Sequence, residues 1–107
     1  MLNDVANEKD EKLLRLLGLA KRAGKLACGR EATLISVRKK RARLIVVARD
    51  ASERTIEEME KLAAHHRLPM IGLGDRTSLG RYTGSDLRAL VAVEDEGFVR
   101  GIMNDVN

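Results

Sequence analysis

The sequence predicts an α/β fold, a three-layer α/β/α domain with helices on both faces of a four-stranded sheet. Three observations predict it. Short apolar runs alternate with amphipathic segments along the chain. Leu44-Ile-Val-Val-Ala48 is a continuous run rich in β-branched residues, the pattern of a strand covered on both faces. Finally, 107 residues with 44% hydrophobic and 34% charged content fit one globular core and are too few for two.

The elements follow in order. Asp10 is placed to cap a first helix, in which Leu13, Leu16, Leu17 and Ala20 recur at helical spacing and Lys12, Arg15 and Lys21 take the wet side. Gly24 ends it, Lys25 to Cys28 reads as a short strand, and Gly29 opens a second helix running to about Lys40. Leu44 to Ala48 is then a central strand. Asp50-Ala-Ser-Glu53 has the spacing of a capping box, with Ser52 as a rival cap, and Ile56, Met59, Leu62 and Ala63 form the apolar stripe of a third helix. Pro69 to Leu73 reads as a third strand, Asp75 caps a short helix to about Arg81, and Tyr82 to Leu87 is a loop. A fourth strand spans Arg88 to Val93, and Asp95 caps a last helix through Phe98 and Met103. Residues 1–107 form one domain on this reading, with 1–9 and 104–107 loose. Regular alternation by itself implies a mostly parallel sheet.

Composition narrows the function. The longest apolar run is far short of the roughly 18 residues of a membrane span, and the first ten residues are polar and acidic, which predicts a cytoplasmic protein. Cys28 is the single cysteine, so no internal disulfide is possible, and it is expected to be a small buried apolar residue. His65 and His66 are neighbours on a helix and diverge by about 100°, Glu94-Asp-Glu96 sits where Asp95 has a capping task, and Gly72-Leu-Gly74 lacks the third glycine of a dinucleotide loop, which falls at Thr77. No metal site, no cofactor and no catalytic constellation is expected.

The formal charge is +4, unevenly distributed. Between Lys21 and Arg49 ten basic residues face one acid, Glu31; from Asp50 to Asp75 six acids face three bases. Such asymmetry points to a polyanionic partner. In alternating α/β order, helix C-termini and strand N-termini share one end of the sheet, so Lys21, Arg22 and Lys25 should adjoin Arg38, Lys39, Lys40, Arg41 and Arg43 in one basic patch. That density exceeds what compensation of a helix dipole requires and favours phosphate contact. Tyr82 and Phe98 are the only aromatic residues, too few to hold successive unpaired bases by stacking, so structured RNA suits the composition better than single strands.

Several segments together resemble the L7Ae/L30e family of ribosomal proteins, especially its small bacterial YlxQ-like branch. They are Leu16-Leu-Gly-Leu-Ala-Lys-Arg-Ala-Gly-Lys25, Gly29 at the helix start, Leu44-Ile-Val-Val-Ala-Arg-Asp-Ala-Ser52, Leu79-Gly80 with Gly84, and Leu90-Val-Ala-Val-Glu-Asp-Glu-Gly-Phe98. The resemblance covers nearly the whole chain. It implies an α/β/α sandwich around a four-stranded mixed sheet, so at least one strand should oppose the parallel order. It also implies a non-catalytic RNA-binding role, many members reading kink-turns, which are sharply bent duplexes with a bulge and tandem sheared G·A pairs.

The family's reading surface joins the start of the second helix, the end of the second strand and the loop before the fourth. In this sequence the resemblance therefore points to Gly29, Arg30, Glu31, Ala32 and Ile35, to Arg49 and Asp50, and to Gly84, Ser85, Asp86 and Leu87. Strong kink-turn binders carry Asn, Glu and Lys where this chain has Glu31, Ala32 and Ile35. Ala and Ile make no polar contact to a base edge or phosphate, so Arg30 is the candidate replacement cation and Ile35 with Leu87 a candidate apolar patch. The basic patch would lie about 18 Å away, at the far end of the second helix. The expected partner is a structured RNA, with ribosomal RNA and ribosomal or other RNA-associated proteins within reach of the resemblance, and the protein is expected to be a monomer. The competing reading is a protein-interaction module that kept the fold and lost the RNA site.

Overall fold

Helix and strand alternate from one end of the chain to the other. In the computed structural model, which describes residues 2–106 and the side chains of residues 9–105, α1 (Leu2–Arg22) leads to β1 (Leu26–Cys28) and α2 (Arg30–Arg38). There follow β2 (Leu44–Val47), α3 (Glu53–His66), β3 (Met70–Gly72), α4 (Arg76–Thr83), β4 (Leu90–Val93) and α5 (Glu96–Val106). Of the segments expected to be loose, residues 2–9 belong to α1 and 104–106 to α5. Met1 and Asn107 lie outside the described residues.

Two caps are also corrected. Asp10 does not start α1 but sits inside it, 6% exposed, accepting hydrogen bonds from the Arg49 guanidinium and from the Gly74 N–H at 3.3 Å. Asp50 does not cap α3. Ser52 does, accepting from the Thr55 N–H at 3.1 Å, while Asp50 accepts from the Arg76 N–H at 2.8 Å at the start of α4. Asp75 caps α4 in a reciprocal box with Ser78, and Asp95 accepts from the Phe98 N–H at 3.0 Å, both as the sequence predicts.

The sheet order is β1-β4-β2-β3. Only β2 and β3 pair in parallel; β4 runs against both β1 and β2, with Leu26 opposite Val93, Leu44 opposite Val93 and Val47 opposite Leu90. The mostly parallel sheet inferred from alternation alone is therefore wrong, and the mixed sheet is right. The physical reason lies in the last connection. The Arg88 N–H bonds back to the Arg76 carbonyl at 3.0 Å, so the chain after α4 returns to where α4 began and enters the sheet at the end that β3 left.

Period-two alternation sorts the two central strands between two cores. Leu44, Val46, Val91 and Val93 pack with Leu13, Leu14 and Leu17 of α1, Leu79 of α4 and Val99 and Ile102 of α5. Ile45, Val47, Leu90 and Ala92 face Val37 of α2 and Met59 and Ala63 of α3. Both faces are covered, which is why these strands read as unbroken apolar runs. Cys28, expected buried, is half-buried at the edge of the first core.

Candidate nucleic-acid interface

Strand direction decides which loops share an end. The C-termini of β1, β2 and β3 and the N-terminus of β4 all lie at one end of the sheet, here called the loop end. Hydrogen bonds tie the connecting segments there: the Gly29 N–H to the Leu90 carbonyl, the Ala48 N–H to the Ala89 carbonyl and the Arg49 N–H to the Gly74 carbonyl, at 2.8 to 3.0 Å. Gly29 to Ala32, Arg49 and Asp50, and Gly84 to Leu87, separated by up to 58 positions in sequence, thus meet at one edge of the molecule. Ile35 stands further along α2, about 7.5 Å from Arg30 by helical rise.

Gly29 is the N-cap of α2 with φ of 92°, a backbone conformation that side chains other than glycine resist, and it offers no side chain to the free N–H groups of the first turn. Those N–H groups carry the positive end of the helix dipole and suit an anionic ligand. Beside them lies Arg88, which was missing from the sequence-based candidates. Its Nη1 comes within 3.7 Å of the position a Cβ on Gly29 would occupy, while its Nε donates to the Thr83 hydroxyl at 2.8 Å. Thr83 is itself buried and donates to the Leu79 carbonyl at 2.7 Å, so the guanidinium is aimed by α4. The available sequence clue was a lone base at the expected start of the fourth strand, which in the structure begins two residues later at Leu90.

The loop carrying Ser85, Asp86 and Leu87 is shaped by Gly80. A Cβ at that position would meet the Ser85 carbonyl oxygen at 2.6 Å and the Asp86 carbonyl at 3.0 Å, so only glycine lets the loop fold against α4. The Ser85 N–H donates to the Gly80 carbonyl and the Ser85 hydroxyl to the Leu87 carbonyl, both at 2.9 Å. Gly84, Asp86 and Leu87 remain exposed, Leu87 at 58%, and Ile35 is 46% exposed, so Ile35 and Leu87 present apolar side chains to solvent.

Three arginines at this end, Arg30, Arg49 and Arg76, are matched by carboxylates. Arg30 is held by Glu58 of α3 through two hydrogen bonds, Nε to Oε1 at 3.0 Å and Nη2 to Oε2. The bond from Arg30 holds the Glu58 carboxyl below its ordinary range, and the same bond raises Arg30. Arg49 forks onto Asp10, and Arg76 lies 3.5 Å from Asp50. The candidate replacement cation, Arg30, is consequently partnered, whereas Arg88 has no carboxylate partner among the described residues and bonds to Thr83 instead.

A cleft of about 540 Å³ opens beside α4, lined by Asp10, Glu11, Arg49, Asp75, Arg81 and Tyr82 among others. The start of α4 behind it already has its N–H groups bonded to carboxylates, Gly74 to Asp10, Arg76 to Asp50 and Ser78 to Asp75. That arrangement repels a phosphate, so Gly72 and Gly74 hold no dinucleotide loop. Among the described residues no group of three or more His, Cys, Asp or Glu is placed to hold a metal ion, and no helix is long and apolar enough to cross a membrane. The His65 and His66 rings, expected to diverge, meet edge to face at 4.9 Å.

At the opposite end, the Lys25 carbonyl accepts from the Glu94 N–H at 2.8 Å and the Arg43 N–H donates to the Val93 carbonyl at 2.7 Å. Lys25 and Arg43 therefore flank the end of β4, while Lys21 and Arg22 close α1 and Arg38 closes α2. The sequence did not show that Glu94, Asp95 and Glu96 enter between them.

The sequence model of the ribosomal protein L7Ae/L30e/S12e/Gadd45 family matches residues 11–101. An RNA-binding protein YlxQ of Bacillus subtilis is 34% identical over 89 residues, 83% of this chain and 89% of that protein. Its namesake from Enterococcus faecium is 32% identical over 90 residues, 84% and 86% of the two chains. The structure of a protein of unknown function from Bacillus halodurans superposes with a TM-score of 0.84 at 32% identity, covering 89% of this chain and 96% of the other. A 15.5 kD RNA-binding protein of Giardia lamblia shares the fold with a TM-score of 0.76 at 19% identity, covering 92% and 85%.

Proposed function

The chain belongs to the ribosomal protein L7Ae/L30e/S12e/Gadd45 family, and from that premise we propose that it is a non-catalytic RNA-binding protein that takes structured RNA at the loop end of its sheet. The observation that carries this reading is the meeting of three segments distant in sequence, Gly29 to Ala32, Arg49 with Asp50, and Gly84 to Leu87, around an uncapped helix N-terminus. The names of its bacterial relatives, RNA-binding proteins that match over more than four-fifths of this chain, support RNA as the ligand.

In the proposed complex, the N–H groups at the start of α2 and the Arg88 guanidinium receive phosphate or base acceptors. Glu31 accepts from a base edge, as a carboxylate does from an exocyclic amine. Ile35 and Leu87 pack against sugar or an unstacked base, Ile35 standing where strong kink-turn binders carry a lysine. The RNA is a kink-turn or a related bent element, within ribosomal RNA or another cytoplasmic RNA, and the protein acts as a monomer of one domain.

A titration of three RNAs tests this: a kink-turn, the same strands with the G·A pairs replaced, and a plain duplex, each at low and near-physiological salt. Preference for the kink-turn by tenfold or more at the higher salt, an order-of-magnitude expectation for base-specific contacts, is the predicted result. Equal affinity for all three at every salt contradicts a sequence-reading loop end. Absence of all binding transfers the exposed Ile35 and Leu87 surface to a protein partner.

A further inference from the structure

We infer that the end of the sheet opposite the loop end is a second, independent docking track, which holds the phosphates of a duplex RNA arm. The identity of the polyanion rests on the RNA reading above; the track itself rests on three further observations.

First, all but one of the cations before and after α2 at this end are free, Arg43 alone being paired among the described residues. Lys25, Arg38, Lys39, Lys40 and Arg41 are exposed and have no side-chain partner among the described residues, in contrast to the carboxylate-bound arginines of the loop end. The three acids nearby each have a fixed local role and are outnumbered by these cations: Glu94 accepts from the Ser36 hydroxyl at 2.6 Å, Asp95 caps α5, and Glu96 lies 3.7 Å from Arg43.

Second, the backbone bends to present them. The two non-glycine residues with positive φ among the described residues are both cations, Lys40 at 61° and Arg67 at 57°. Each follows the end of a helix at a position where glycine is usual and a side chain costs stability. Arg67 precedes β3, whose Pro69 carbonyl accepts from the Ile45 N–H at 3.0 Å, so it stands at the same end of the sheet as Arg43. The turns need the positive φ but not a cation, so a lysine and an arginine kept where glycine would serve point to a role for their charge.

Third, the arrangement is a line. Lys25, Arg43 and Arg67 precede β1, β2 and β3, which span three strand intervals, about 14 Å at about 4.8 Å each. A row of that length matches a backbone of successive phosphates rather than one small anion. Helix α2 links the ends: Glu31, Ile35 and Arg38 are exposed one turn apart along it, and its nine residues separate the ends by about 14 Å. That exceeds the Debye length of about 8 Å at physiological salt, so the track attracts only an RNA long enough to reach it.

The test is a titration of a plain 20-base-pair RNA duplex, and of a kink-turn with short arms, with the wild-type chain, Lys39→Glu/Arg41→Glu, and Lys40→Gly. For the plain duplex at about 50 mM salt the charge-reversed variant should bind about tenfold or more weakly, and its salt slope should fall by about 2, close to one per lost contact. At near-physiological salt the short kink-turn should bind both proteins within about twofold, because screening there isolates the distant charges. Lys40→Gly should raise the melting temperature and yet weaken duplex binding, an opposition that misfolding cannot produce. If the wild-type chain fails to bind the plain duplex at low salt, or if charge reversal leaves duplex affinity unchanged, the track is refuted, whatever the kink-turn does. Loss of kink-turn preference with duplex binding still sensitive to Lys39 and Arg41 refutes the loop-end reading and leaves the track standing.

Discussion

The two ends of the sheet are both rich in arginine and lysine, yet they treat those charges in opposite ways. At the loop end Arg30, Arg49 and Arg76 are each matched to a carboxylate, Glu58, Asp10 and Asp50, and Arg88 is aimed by Thr83. At the far end Arg38 to Arg41 stand exposed and unpaired among the described residues. The difference teaches that charge density in sequence locates attraction but not recognition. Paired arginines hold fixed positions and present a shaped, nearly neutral surface on which hydrogen-bonding geometry discriminates; free cations give affinity without discrimination.

The comparison breaks most severely at the loop that shapes the first end. Gly80→Ala places a methyl 2.6 Å from the Ser85 carbonyl oxygen, and is expected to cost about 1–3 kcal/mol of stability as local overpacking. Urea midpoints would measure that loss, and kink-turn preference should disappear in the same variant while duplex binding at the far end persists. Asp10→Ala comes next. It strips the acceptor from Arg49 and from the Gly74 N–H beneath a nearly buried carboxylate, at a cost of about 1–3 kcal/mol. The released Arg49 should also steepen the salt dependence of RNA binding, which a titration across salt would record.

Much of this organisation was legible in the sequence, and the exceptions have physical causes. The strands of the centre were visible because Leu44 to Val47 and Leu90 to Val93 are covered on both faces and carry no polar residue. The direction of β4 was not, since it depends on the short return from α4 to the sheet rather than on any residue within the strand. Asp10 and Asp50 both read as caps because an acid before an apolar stripe is the local signature of one, and only tertiary contact reassigned them to Arg49 and to the start of α4. The loop-end residues came from family resemblance, and the structure brings them together. Arg88 was missed because its value lies in its proximity to Gly29, 59 positions earlier.

Asp75 gives a smaller effect with a defined sign. The Ser78 N–H bonded to its carboxylate at 2.8 Å holds its pKa below the ordinary 3.8. A carboxyl lowered on folding contributes stability that is present above about pH 3.8 and is lost as the pH falls through the depressed value. Asp75→Ala should therefore cost about 1 kcal/mol at neutral pH, the usual worth of such a cap, and should flatten the acid limb of a stability profile followed by circular dichroism. Smallest is Glu58→Gln, which releases Arg30 on an exposed surface. Stability should not change measurably, while RNA affinity at low salt should rise about threefold, as one further phosphate contact would produce.

The most direct test of the account is to follow backbone amide resonances while a short-armed kink-turn RNA is added at near-physiological salt. The amides of Gly29 to Ala32 and of Ser85 to Arg88 should shift together and saturate at one equivalent, with those of Arg38 to Arg43 unmoved. Shifts confined to Arg38 to Arg43, with the loop end silent, would contradict it.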